Sequence, residues 1–187
     1  LDHPFYVGAK QVCIGASIGI SLGPNDGLNA NQLLVNADLA LYQAKARGRA
    51  RYSFFVPEMD LEMQTKRELE EDLRRAVVNN EFEMVYQPVI DTCDGKISSF
   101  EALLRWSHPS KGIILPGDFI STAEDMGLIV PIGEWALREA CSKASAWPTN
   151  IGISVNLSPV QFRSGDKLVR SVANALAVSG IDPKRLE

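Results

Sequence analysis

The sequence predicts an α/β protein. Three observations carry that prediction: apolar residues alternate with small or polar ones over 12–22, they recur at intervals of three and four over 33–44, and beyond residue 80 strand-like and helix-like runs succeed one another. A period of two marks a strand with one buried face, a period of 3.6 an amphipathic helix, and their alternation builds βα units. The 187 residues allow one large domain or two small ones, and 45% hydrophobic with 22% charged residues fits an ordinary globular chain.

Each element follows in order. Val12, Ile14, Ala16, Ile18, Ile20 and Leu22 alternate against Cys13, Gly15, Ser17, Gly19 and Ser21, predicting one strand whose apolar face is buried. Pro24-Asn25-Asp26-Gly27 marks a turn. Leu33, Leu34, Ala37, Leu41 and Ala44 then give a helix that stops near Gly48, and 51–56 reads as a short closing strand. From Pro57 a charged stretch sets Glu62/Lys66, Lys66/Glu70, Glu70/Arg74 and Glu71/Arg75 four residues apart, as on an exposed helix. Its narrow stripe of Leu69, Leu73, Ala76 and Val77 predicts docking at the C-terminal end only. Residues 84–90 and 97–106 read as a hairpin around Asp94-Gly95. A helix after Pro116, another with Leu137, Ala140, Cys141, Ala144 and Trp147 on one face, a strand at 151–157 and a helix over 167–179 complete the pattern. The boundaries read from this are 1–56, a connecting helix at 57–80, and 81–187.

Composition narrows the function classes. Cys13, Cys93 and Cys141 are odd in number and widely spaced, so reduced thiols fit better than a disulfide framework or a zinc site. Residues 1–56 hold five Lys/Arg against three Asp/Glu, and 57–187 hold fourteen against twenty. A net-acidic second part argues against a long nucleic-acid track and leaves room for a small anionic ligand. No apolar run approaches the ~20 residues of a bilayer span and no signal peptide opens the sequence, so a cytoplasmic segment is expected. Leu1 at the start, and Glu187 just after Pro183-Lys184-Arg185-Leu186, read as cut ends of a longer chain.

Three constellations could carry chemistry. Strand geometry over 99–106 sends Ser99, Glu101, Leu103 and Arg105 to one face, where a carboxylate and a guanidinium line a cavity or form a structural Glu–Arg pair. Ser154, Asn156 and Ser158 share one side of the next strand's end. There an amide oxygen with a carboxylate suits a hard cation, and Asn156 capping the following loop is the rival reading. Asp38, Tyr42, Lys45 and Arg49 follow one helix face, and Lys45, Arg47, Arg49 and Arg51 make either a phosphate site or a solvated basic face. His3 and His108 have no partner at metal-ligand spacing and receive no role.

Two families are visible in these residues. Ala37-Asp38-Leu39-Ala40-Leu41-Tyr42-Gln43-Ala44-Lys45 with Gly48-Arg49, preceded by Ser17-Ile18-Gly19-Ile20, resembles the end of GGDEF domains, with Ala50 where that family usually has Asn. The defining Gly-Gly-Asp-Glu-Phe loop is absent, and Lys45 matches the lysine that contacts the GTP phosphates in active cyclases of the family. Tyr86-Gln87-Pro88, Glu101-Ala102-Leu103 within 100–106, Pro116-Gly117-Asp118-Phe119-Ile120 and Asn156-Leu157-Ser158 together resemble the first half of an EAL domain. That resemblance implies part of a TIM-like (β/α) barrel with an antiparallel first strand. It also implies Mg²⁺ or Mn²⁺ held by Glu101 and Asn156, and cyclic-di-GMP contacted by Gln87, Leu103 and Arg105, the last through phosphate. The implied activity is hydrolysis of cyclic-di-GMP to pGpG in the parent. A degenerate receptor, or a parent acting as a diguanylate cyclase, is the alternative. A homodimer through either domain and a membrane anchor outside this segment are further implications, while the piece alone, lacking the later ligands and the catalytic lysine, is expected to be inactive.

Overall fold

Residues 4–163 and 165–187 are described by the structure, a computed structural model; His3 lies outside them. Contacts divide the chain into two units, 1–68 and 69–187.

In the first unit β1 (Phe5–Val7) and β2 (Lys10–Val12) form a small antiparallel hairpin. β3 (Ile18–Ile20) runs parallel to β4 (Tyr52–Phe54), the two joined through α1 (Ala30–Ala46). Asn29 starts α1 by accepting from Gln32 N at 3.0 Å. The single strand expected over 12–22 is therefore two short ones, and its buried face is the opposite of the one anticipated. Ile14, Ile18 and Leu22 are 51–54% exposed, while Ser17, Gly19 and Ser21 are half-buried, with Ile20 the one half-buried residue of the apolar set. Sterics explain the inversion. A Cβ on Gly19 would lie 1.9 Å from Ala37 O and 2.3 Å from Leu41 N, so the helix approaches where side chains are smallest. Ser21 Oγ reinforces that approach by donating to Leu33 O at 2.7 Å. On α1 itself Leu34 is exposed, and Ala40 and Ala44 are the buried positions.

α2 (Glu58–Asn79) contains the division between the units. Its last turns carry Leu73 and Ala76, both fully buried, with Leu69 and Val77 packed against the same core. Asn80, at φ 56, ends the helix in the left-handed conformation that Asn tolerates, and Glu81 N closes back on Ala76 O at 3.1 Å. Among the described residues no ion pair joins Glu70 to Arg74 or Glu71 to Arg75; Arg75 pairs instead with Asp72 three residues before it. Asp72 is buried, and a carboxylate removed from water gains more from a cation than an exposed one does.

The second unit is built on β6 (Ile97–His108), which pairs antiparallel with β5 (Phe82–Ile90) and β7 (Gly112–Ile114) and parallel with β8 (Gly152–Val155). The predicted hairpin turn is present: Asp91 accepts from Gly95 N, Asp91 N donates to Lys96 O, and Gly95 takes φ +70. α3 (Pro116–Asp125), α4 (Ile129–Ser145), a single turn α5 (Pro159–Phe162) and α6 (Asp166–Ser179) complete the unit. Ala102 and Trp106 of β6 are buried, with Phe119, Ala123 and Ile132 in the core around Trp106, and Leu137, Ala140 and Cys141 in the core around Ala102. The other face of β6 is left to Glu101, Leu103 and Arg105.

Candidate active site

Register alone brings five of the sequence-predicted residues onto one sheet face. Opposed residues in an antiparallel pair share a face, and Gln87 opposes Glu101 while Val85 opposes Leu103 and Glu83 opposes Arg105. In the parallel pair Glu101 is level with Ser154, so Asn156, two residues beyond, joins the same side at the C-terminal end of β8. There Asn156 Nδ2 donates to Glu101 Oε1 at 2.7 Å, across 55 residues of sequence. Glu101 is half-buried and Asn156 exposed.

Arg105 is half-buried on this face and Nη1 donates to Leu104 O at 2.7 Å. Among the described residues it has no ion pair with Glu101, whose partner is Asn156. The Glu101–Arg105 pair entertained from the sequence is therefore not formed. Gln87 is exposed and Leu103 half-buried. Lys45 stands exposed on α1 in the first unit, where the neighbouring Tyr42 hydroxyl accepts from Lys66 Nζ at 2.6 Å.

A carboxylate within β6 and an amide just past the end of β8, one hydrogen bond apart, fit two corners of a hard-cation site. Among the described residues no three His, Cys, Asp or Glu side chains are grouped to hold a metal. Beside this face lies an apolar cavity of about 360 Å³ lined by Met84, Ala102, Leu104, Ile120, Ile132 and Val155, with Leu103 and Asn156 also on its border. Its walls do not include Gln87, Glu101 or Arg105.

Two clusters escaped the sequence reading. Asp72 accepts from Lys111 Nζ at 2.7 Å and from Arg75, and lies 3.1 Å from His108 Nε2. His108 Nδ1 accepts from Ser110 N and Lys111 N, which leaves the proton on Nε2 to reach Asp72. The Lys111 ammonium foremost holds the Asp72 carboxyl down from 3.8 to about 2; burial opposes it, and Arg75 and His108 add to the lowering. The second cluster joins Glu124, Ser158 and Gln161. Ser158-Pro159-Val160-Gln161 has the spacing of a capping box, a signal readable without a structure.

Comparison with known proteins agrees with this geometry. The EAL domain family matches residues 70–187, and the family described as diguanylate cyclase, GGDEF domain, matches residues 1–51. A signaling protein of uncharacterized function from Caulobacter vibrioides is 45% identical over the whole chain, which covers 23% of that protein. The bifunctional diguanylate cyclase/cyclic di-GMP phosphodiesterase MucR of Pseudomonas aeruginosa is 42% identical, again over the whole chain and 28% of its own length. The chain thus spans about a quarter of the length of these curated relatives. The solved MucR phosphodiesterase in complex with cyclic di-GMP superposes with a TM-score of 0.60 at 43% identity, covering 64% of this chain and 49% of that one. The chain belongs to the EAL domain family through residues 70–187, joined to a GGDEF domain segment at residues 1–51.

Proposed function

We propose that the protein containing this chain hydrolyses cyclic-di-GMP to linear pGpG at the Glu101 face. The observation that carries the reading is the Asn156–Glu101 contact at 2.7 Å, which sets an amide at the end of β8 against a carboxylate within β6. The MucR likeness supports the substrate class, since that relative is named as a cyclic di-GMP phosphodiesterase and its solved form holds the dinucleotide. When bound at Glu101 and Asn156, Mg²⁺ or Mn²⁺ supplies charge neutralisation at the phosphodiester and acidifies the attacking water. Arg105 presents a guanidinium to a substrate phosphate, with its remaining N–H groups free to form a bidentate pair. Leu103, beside Arg105, and Gln87, opposite Glu101, share that face and orient the nucleotide. In this reading residues 57–80 connect the two domains, Lys45 contacts phosphate of GTP at the GGDEF segment, and the protein dimerises through either domain. Any membrane anchor would lie outside this segment; among the described residues no helix is long and apolar enough to cross a membrane.

Glu101→Ala in the full-length protein should abolish nearly all cyclic-di-GMP hydrolysis while the melting temperature holds, because removing a ligating oxygen leaves the cation site incomplete. Wild-type turnover by that variant would refute the assignment.

A further inference from the structure

Two distant segments converge on the turn that carries Asn156. Ser158, two residues further on, donates its hydroxyl to Glu124 Oε1 of α3 at 2.5 Å. The same hydroxyl oxygen accepts from Val160 N at 3.1 Å, and Ser158 N donates to Gln161 Oε1 at 2.9 Å. Gln161 is 4% exposed and lies against Gly133 of α4, where an added Cβ would stand 2.1 Å from Gln161 Nε2. Glycine at 133 is what leaves room for that amide.

Glu124 and Gln161 border the apolar cavity that Asn156 and Leu103 also line, and Glu101 is not among its walls. Their hydrogen bonds go to Ser158, so they bear on the site through the turn. A carboxylate beside an apolar cavity is costly unless it accepts a hydrogen bond, and the Ser158 hydroxyl is the donor it has. The result is directional: Ser158 is fixed from α3 by Glu124 and from α4 by way of Gln161. We propose that Glu124, Gln161 and Gly133 are positioning residues that hold the 156–158 turn so that Asn156 stays on Glu101. This rests on reading Glu101 and Asn156 as corners of the cation site.

The test is Mn²⁺ titration of the full-length protein, followed by electron paramagnetic resonance, in Glu124→Ala, Glu124→Gln, Gly133→Ala and the reference Asn156→Ala. Glu124→Ala should weaken Mn²⁺ binding about tenfold, the scale of a lost outer partner. Glu124→Gln should bind as wild type, since its amide oxygen still accepts from Ser158. Gly133→Ala should weaken binding as Glu124→Ala does although alanine favours a helix, because Gln161 must swing off Ser158 to make room. Wild-type affinity in both Glu124→Ala and Gly133→Ala would overturn the proposal if Asn156→Ala lowers it. Should Asn156→Ala bind Mn²⁺ normally, the cation reading fails instead, and a metal-free measurement decides the positioning. With ¹⁵N-asparagine labelling, the Asn156 side-chain amide should be protected from hydrogen exchange in wild type and lose that protection in Glu124→Ala. Unchanged protection would sink the positioning role.

Discussion

A guanidinium has five N–H donors, and Arg105 places one on the Leu104 carbonyl while standing half-buried beside Leu103 and opposite Glu83. Lysine offers a point charge in place of that planar fork. Arg105→Lys in the full-length enzyme should therefore raise KM for cyclic-di-GMP and leave the melting temperature unchanged. A large loss of stability with unchanged kinetics would show that the residue is structural. At Ala50 the backbone instead sits at φ 49, a conformation that costs an L-residue with a Cβ roughly 1–2 kcal/mol. Ala50→Gly should stabilise the first unit by about 1 kcal/mol, visible as a higher denaturant midpoint. This penalty was half-legible beforehand: Ala50 stands where the GGDEF resemblance expects Asn, a residue suited to positive φ, but only the backbone angle explains why the exchange matters.

Between elements, the Asp72–Lys111–His108 cluster ties the last turns of α2 to the β6–β7 hairpin, with Trp106 packed 5.2 Å from the His108 ring. The Asp72 carboxyl titrates at about 2 in the fold against 3.8 when free, so its contribution is fully present above the free value and is lost as pH falls through the folded one. Melting temperature should drop between about pH 4 and pH 2, and Asp72→Asn should be less stable at neutral pH with a flatter acid limb. An acid limb identical in both proteins would exclude Asp72 as its source. The sequence carried α2 and the β5–β6 hairpin because both are local: i,i+4 spacing and an Asp-Gly turn declare themselves within a few residues. It misled at β3, where apolar alternation pointed to the wrong face, since a strand's burial is decided by what packs on it and α1 needs the glycine side. Asp72 was hidden among exposed charges for the same reason, its partners being brought in by a hairpin more than 30 residues away.

Taken whole, the described residues place Glu101, Asn156, Gln87, Leu103 and Arg105 on one face, and the two oxygens proposed to hold a cation are fewer than the six or more that a hard divalent cation takes. The 187-residue chain by itself should therefore show no appreciable hydrolysis of cyclic-di-GMP with Mg²⁺. Among the described residues β5 pairs with β6 alone, and Val85, Val89 and Ile90 along it are exposed, so the isolated chain should also self-associate. A stable monomer by light scattering that turns over cyclic-di-GMP would contradict both expectations. The shared face was legible from the period of two in each strand; that Glu101 and Asn156 belong together came from the EAL resemblance alone, because pairing across β6 and β8 is a long-range choice that periodicity does not carry. That pairing has a consequence in time. The two partners are 55 residues apart, so at ~5–20 residues per second a ribosome delivers Asn156 roughly 3–11 s after Glu101. For those seconds the β5–β6 hairpin must carry the Glu101 carboxylate without its amide partner, and the site is assembled only as β8 leaves the ribosome to dock on a strand already in place.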